Sequence, residues 1–225
     1  MRHIDKIIPR RCLLPLLLLV TANMLAYYGG MALSGIFPMH NWALPIDDWF
    51  PIRPGWAVIY VSSFVLWVVN YILISRDSSP MVYRLAAADI TGKCIGFLFF
   101  LFLPTTIQQP SLAEFGWEAF LLRIVYFFDE PTNLFPSLHC FMSWMAFRPM
   151  LNCKHFHRSY KIIVFVWCLL IFVSTLYTKQ HVFLDVLGGW LLAELCYDTA
   201  PHLPLMHLLR RANRKLDPEY ALSSL

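Results

Sequence analysis

The stretch DEPTNLFPSLHCF, residues 129 to 141, sets a histidine at the point where an apolar run resumes after a polar loop. The surrounding chain makes that placement unusual. Of its 225 residues, 58% are hydrophobic and 14% charged, where a soluble domain carries roughly a quarter charged. The apolar residues gather in long runs, as in chains that cross a bilayer. His139 is therefore either a passive interfacial side chain or part of a site at a membrane surface. Residue type alone does not separate the two.

Working outward, six apolar segments emerge, at residues 12–33, 55–75, 85–106, 136–151, 161–178 and 182–199. Each is near the ~17–25 residues of a spanning helix or somewhat short of it. The fourth is the weakest, interrupted by Arg148 and Pro149. An open sheet in lipid would leave its edge groups unpaired. The expected fold is therefore all-α, a polytopic six-transmembrane-helix bundle forming one membrane domain over residues 1–225. The run after the basic segment 1–11 continues to residue 33, too long for a signal-peptide core, and reads as a retained first span. The basic tail, 200–225, reads equally as a short amphipathic helix or as an unstructured end.

Charge orients the bundle. Fourteen of the eighteen Lys and Arg residues fall on the side of the N-terminus, against Arg53, Arg123 and Lys179 on the other; Lys93 lies inside the third segment. The expectation is an integral membrane protein, in the plasma membrane if the host is bacterial, and the charge bias predicts cytoplasmic termini. The same bias puts PSLH, 136–139, on the outer face together with STLYTKQHVFLDVLGG, 174–189. The net charge of +4 is dispersed among apolar runs, so no nucleic-acid partner is expected. The six cysteines form no CxxC pair and no metal-ligand spacing, so neither a disulfide framework, a metal nor a cofactor is expected.

The two outer segments carry matching chemistry. His181 and Asp185 are four apart and share one helix face. A carboxylate on one imidazole nitrogen fixes the tautomer and leaves the other nitrogen a better nucleophile or base. His139 is a second imidazole, suited to protonate a leaving oxygen. Pro136, Ser137 and Leu138 open a helix whose free N–H groups make an anion seat. Together they describe metal-free phosphoryl transfer through a phosphohistidine. Each part has a plain reading as well: an interfacial histidine, a buried His–Asp pair, a helix cap, and glycines at 188–189 that let helices approach closely. Their joint occurrence on one face is harder to assign to packing.

FPSLH and STLYTKQHVFLD together resemble the second and third signature motifs of the PAP2 (type 2 phosphatidic acid phosphatase) superfamily, over roughly residues 45 to 200. Those motifs read Pro-Ser-Gly-His and Ser-Arg-(five residues)-His-(three residues)-Asp. Leu138 in place of Gly, with PTNLFPSLH and HVFLDVLGG, is closer to the inositol phosphorylceramide synthase-like (inositolphosphotransferase) branch. The resemblance implies the six-helix PAP2/haloperoxidase fold. It also implies that His181 attacks phosphorus, Asp185 orients it, His139 protonates the leaving group, and Ser137, Leu138 and Ser174 lie about the phosphate. Two departures stand out. Thr175 replaces the arginine of the third motif, and Gln109–Pro110 stands where the first motif has Arg-Pro. Lys179 is the first candidate to supply the missing positive charge and Arg123 the second, Lys179 reading nearly as well as an interfacial anchor. Lys93 is expected to pair with Asp89, four residues earlier.

A phosphorylated lipid in the membrane is the expected substrate. The aromatic stretch GWEAFLLRIVYFF, 116–128, reads as lying in the interface beside it or equally as an ordinary packed re-entrant segment. Asp47 and Asp48 offer two carboxylates on the same face, read as head-group contacts or as a solvated loop, and not as a metal site. The competing class is a non-catalytic polytopic lipid-binding or transport protein with a degenerate site. Haloperoxidase chemistry, found on this fold in soluble relatives, fits poorly with six apolar spans and so few cations.

Overall fold

Apolar runs of about twenty residues satisfy their backbone groups internally only as helices, and helices are what the chain forms. The computed structural model describes residues 8–112 and 116–216. Residues 1–7 of the basic start, Glu114, and 217–225 of the tail lie outside the described residues. Eight α-helices follow in order among those described: α1 (Arg10–Ala32), α2 (Ala57–Asp77), α3 (Ser79–Phe102), α4 (Trp117–Phe128), α5 (Leu138–Phe147), α6 (Arg158–Tyr177), α7 (Phe183–Thr199) and α8 (Pro204–Leu216). No strand occurs among the described residues; only isolated bridges join His40 to Thr105 and Thr106 to Thr132.

All six apolar segments are helical, with ends shifted by a few residues. Four helices, Arg10–Ala32, Pro54–Asp77, Pro80–Phe102 and Arg158–Tyr177, are long and apolar enough to cross a membrane. Helix α5 is shorter, ten residues or about 15 Å. Pro149, which lacks an N–H to continue the ladder, tightens the chain into a 3₁₀ turn at Arg148–Asn152. The shortness of α5 follows its position. It is the central helix, against α2, α3, α6 and α7, and seven of its ten residues are buried. Helices α1, α2 and α6 instead expose Leu17, Leu25, Val65, Val68, Ile162 and Ile163, a belt that suits lipid contact and not water. Helix α4 buries Ala119, Leu122 and Val125 while Trp117, Phe120, Phe127 and Phe128 stay exposed.

Buried charges are paired, as low dielectric requires. Lys93 meets Asp89 at 2.6 Å, Tyr71 donates to the other Asp89 oxygen at 2.6 Å, and Lys93 also donates to the Leu19 carbonyl at 3.3 Å. At the end of the bundle remote from His139, Arg148 bridges Glu194 and Asp198 at 2.8 and 2.9 Å. There Arg84 caps the Tyr197 carbonyl and lies 4.0 Å over its ring.

Backbone comes closest to backbone at a glycine between the starts of α5 and α7. A Cβ on Gly189 would stand 2.3 Å from the Ser137 carbonyl oxygen, and one on Gly188 would stand 2.4 Å from the Phe135 ring. A backbone oxygen cannot rotate away as a side chain can. Gly189→Ala is therefore expected to cost about 1–3 kcal/mol through forced separation of the helices, read as a lowered unfolding midpoint in detergent. An unchanged midpoint would show that the two helices separate freely.

Candidate active site

The chain reaches α5 through residues 129–137, and a neighbouring segment holds that loop. The Thr105 hydroxyl accepts from the amides of Leu134 and Phe135 at 3.0 and 2.8 Å. Thr106 donates to the Pro131 carbonyl at 2.6 Å, and the rings of Trp42 and Phe135 meet edge-on at 4.9 Å. Ser137 then caps α5, its hydroxyl accepting from the Cys140 amide at 3.3 Å. This leaves the Leu138 and His139 amides without an intrahelical acceptor. The Ser137 amide itself donates across to the Asp185 carbonyl at 3.0 Å.

On the other segment, the end of α6 turns sharply into α7. Thr178 donates through its amide and its hydroxyl to the Ser174 carbonyl. Lys179 takes a left-handed conformation, φ 52°, and the Thr175 carbonyl accepts from the Gln180 and His181 amides at 3.0 and 3.1 Å. Helix α4 is tied to this turn by Tyr126, whose hydroxyl donates to the Thr178 carbonyl at 2.7 Å. Burial pushes that phenol well above its ordinary pKa, so it remains a donor. Asp185 Oδ2 accepts from the Val182 amide at 2.9 Å and stands 3.4 Å from His181 Nδ1.

The two histidines meet. Their ring centroids are 6.2 Å apart, and both line a cavity of about 40 Å³ with Tyr27, Asp129, Asn133, Leu138 and Gln180. That is room for a small anion or a few waters. Three buried polar atoms on its lining residues lack a protein partner: His139 Nε2, Gln180 Nε2 and Asn133 Oδ1. Unsatisfied groups of this kind are rare in a folded interior and mark where a polar guest would be held. A second, apolar groove of about 420 Å³ shares Tyr27, Asp129, Leu138 and His139 with the first. Met24, Tyr28, Phe64 and Trp67 line it on α1 and α2, and Val125 and Phe128 on α4. The small cavity and the apolar groove thus adjoin at His139.

The remaining candidates lie differently. Ser137 is fully buried in its capping role. Ser174, also buried, donates to the Ile171 carbonyl at 2.7 Å. The Lys179 ammonium donates to the Asp47 carbonyl at 3.0 Å, and Arg123 donates to the Leu112 carbonyl at 3.0 Å. No Lys or Arg among the described residues lines the polar cavity; Asp129 and Glu130 do. No group of three His, Cys, Asp or Glu among the described residues is placed to hold a metal ion.

Two further residues position the site: Asp47, whose carboxylate is engaged by backbone amides and not by solvent as a loop acid would be, and Tyr60, which the sequence did not single out. Asp47 accepts from the Phe183 amide at 2.7 Å through one oxygen and from the Leu44 amide at 2.8 Å through the other, so it caps the helix that follows His181. Tyr60, hidden inside an apolar run, reaches both His139 and Asp129. A cap contributed from 136 residues away leaves no local sequence signal. Asp47→Ala should lower stability by about 0.5–2 kcal/mol in thermal melts, whereas exposed Asp48→Ala should be silent. Equal effects would rule out the cap.

A sequence profile described as the PAP2 superfamily matches residues 81–205. Comparison with curated proteins and with solved structures returns no match.

Proposed function

The chain belongs to the PAP2 superfamily, a family of phosphatase and phosphotransferase type, and from that premise we propose that it transfers a phosphoryl-containing group from a membrane lipid through a phosphohistidine. The observation that carries this reading is the meeting of His139 and His181, 42 residues apart in sequence, at one cavity with Asp185 behind His181. In the first step His181 Nε2 bonds to phosphorus as the P–O bond to the lipid alcohol breaks. His139 gives its proton to the departing oxygen. In the second step a water or alcohol attacks the phosphohistidine, returning its proton to His139 and freeing His181. The anionic oxygens are met by the Leu138 and His139 amides and by Gln180, groups aimed where charge develops.

The apolar groove supports a lipid substrate, since a chain lying there would carry its head to His139. Leu138 in the second motif supports the inositol phosphorylceramide synthase-like branch, and with it an alcohol acceptor. The distribution of Lys and Arg supports a site on the non-cytoplasmic side. One observation favours the other class, a lipid-binding or transport protein: the cavity lining carries two carboxylates and no Lys or Arg among the described residues.

Incubation with lipids labelled in the phosphate, with and without inositol or other alcohols, separates these readings. The wild type should give an acid-labile, base-stable phosphoprotein and turn over the lipid. His181→Ala should lose both, by at least about 10³-fold. Tight lipid binding with no label and no turnover in the wild type would establish the non-catalytic class. Full activity of His181→Ala would remove the nucleophile.

A further inference from the structure

His181 has its carboxylate beside it, but His139, which must change protonation twice per cycle, has none in direct contact. It has Tyr60. The two rings stack with centroids 4.3 Å and planes 25° apart, and the phenol oxygen lies 3.3 Å from His139 Nδ1. The Tyr60 hydroxyl donates its single proton to Asp129 Oδ2. Its oxygen therefore turns lone pairs, not a proton, toward the imidazole. The Tyr27 hydroxyl lies between the Phe128 carbonyl at 2.8 Å and the other Asp129 oxygen at 3.0 Å, with one proton shared between these two acceptors. Trp67 closes on the same imidazole, with centroids 5.0 Å apart.

We propose that Asp129 and Tyr60 are positioning residues for His139, a carboxylate–phenol couple that holds the ring and stabilises its imidazolium. The inference rests on the reading of His139 as proton donor. An electron-rich phenol face attracts a cation, and a phenol hydrogen-bonded to a carboxylate is polarised further in that direction. Burial opposes a charged imidazole, so a buried proton donor needs such an offset. The geometry also assigns the working end of the ring. Nδ1 is turned to Tyr60, while Nε2 is buried without a protein partner on a residue that lines the cavity. That leaves Nε2 to hand the proton to the leaving oxygen.

The test uses leaving groups of different basicity on the full-length protein in detergent. Dioctanoyl phosphatidic acid expels an alkoxide that needs a proton; p-nitrophenyl phosphate expels an anion that does not. Tyr60→Phe keeps the stacked ring but removes the hydroxyl, and Asp129→Asn keeps a hydrogen-bond acceptor but removes the charge. Both should lower kcat on the lipid by about 10- to 100-fold with KM little changed, and should lower it less than about threefold on the aryl ester. Asp129→Glu, which restores the carboxylate, should recover part of the lost rate. Equal losses on both substrates, or a wild-type rate for Asp129→Asn on the lipid, would reduce the couple to packing and overturn the proposal. His139→Ala separates the two levels. If that variant is fully active, the proton-donor reading falls and this inference with it. If it shows the leaving-group dependence and the Tyr60 and Asp129 variants do not, only this inference falls.

Discussion

The Ser137 amide donates to the Asp185 carbonyl at 3.0 Å, and around that single backbone contact the two halves of the site are assembled. It joins the residue before α5 to the first turn of α7. It forms only because Gly189 lets the Ser137 carbonyl come where a Cβ would be. His139 and His181 are each within a few residues of this junction, so their separation follows from it. The other ties serve to hold it: Thr105 on the loop before α5, Asp47 on the start of α7, and Tyr126 on the turn between α6 and α7.

Positive charge is the scarce element. Phosphoryl transfer spreads negative charge over oxygens that proteins usually meet with Lys, Arg or a metal. Here the cavity lining includes Leu138 at a helix start, Gln180 and two imidazoles, while Lys179 and Arg123 donate to backbone carbonyls. Thr175, where the third motif has arginine, is fully buried and donates to the Phe172 carbonyl at 2.8 Å. The substitution exchanges a long cation for a short hydroxyl that is satisfied within its own helix. Neutral dipoles and a transient imidazolium are a coherent alternative in a cavity this small, because electrostatic interactions strengthen as water is excluded.

Acids are used in three distinct ways. Asp185 stands beside His181, Asp129 reaches His139 through Tyr60, and Asp47 caps a helix with both oxygens engaged. Their shared feature is that each faces protein interior or a cavity, as an acid near lipid must. Asp89, paired with Lys93 deep in the bundle, completes the pattern in a purely structural role.

Much of this was legible in the sequence, and for stated reasons. Helix existence follows from long apolar runs in a solvent that satisfies no backbone group, so all six segments were readable. The Asp89–Lys93 pair was readable from i,i+4 spacing, and the glycines at 188–189 from their place in an apolar helix. Even the meeting of PSLH and KQHVFLD at one end of the bundle followed from counting crossings. What spacing could not supply was any contact between residues remote in sequence. Tyr60 carried no signal within its apolar run, Asp47 read as a head-group contact or a loop acid, and Lys179 as a phosphate partner or an interfacial anchor. Their partners come from other helices, and only packing in three dimensions decides which atoms a side chain can reach.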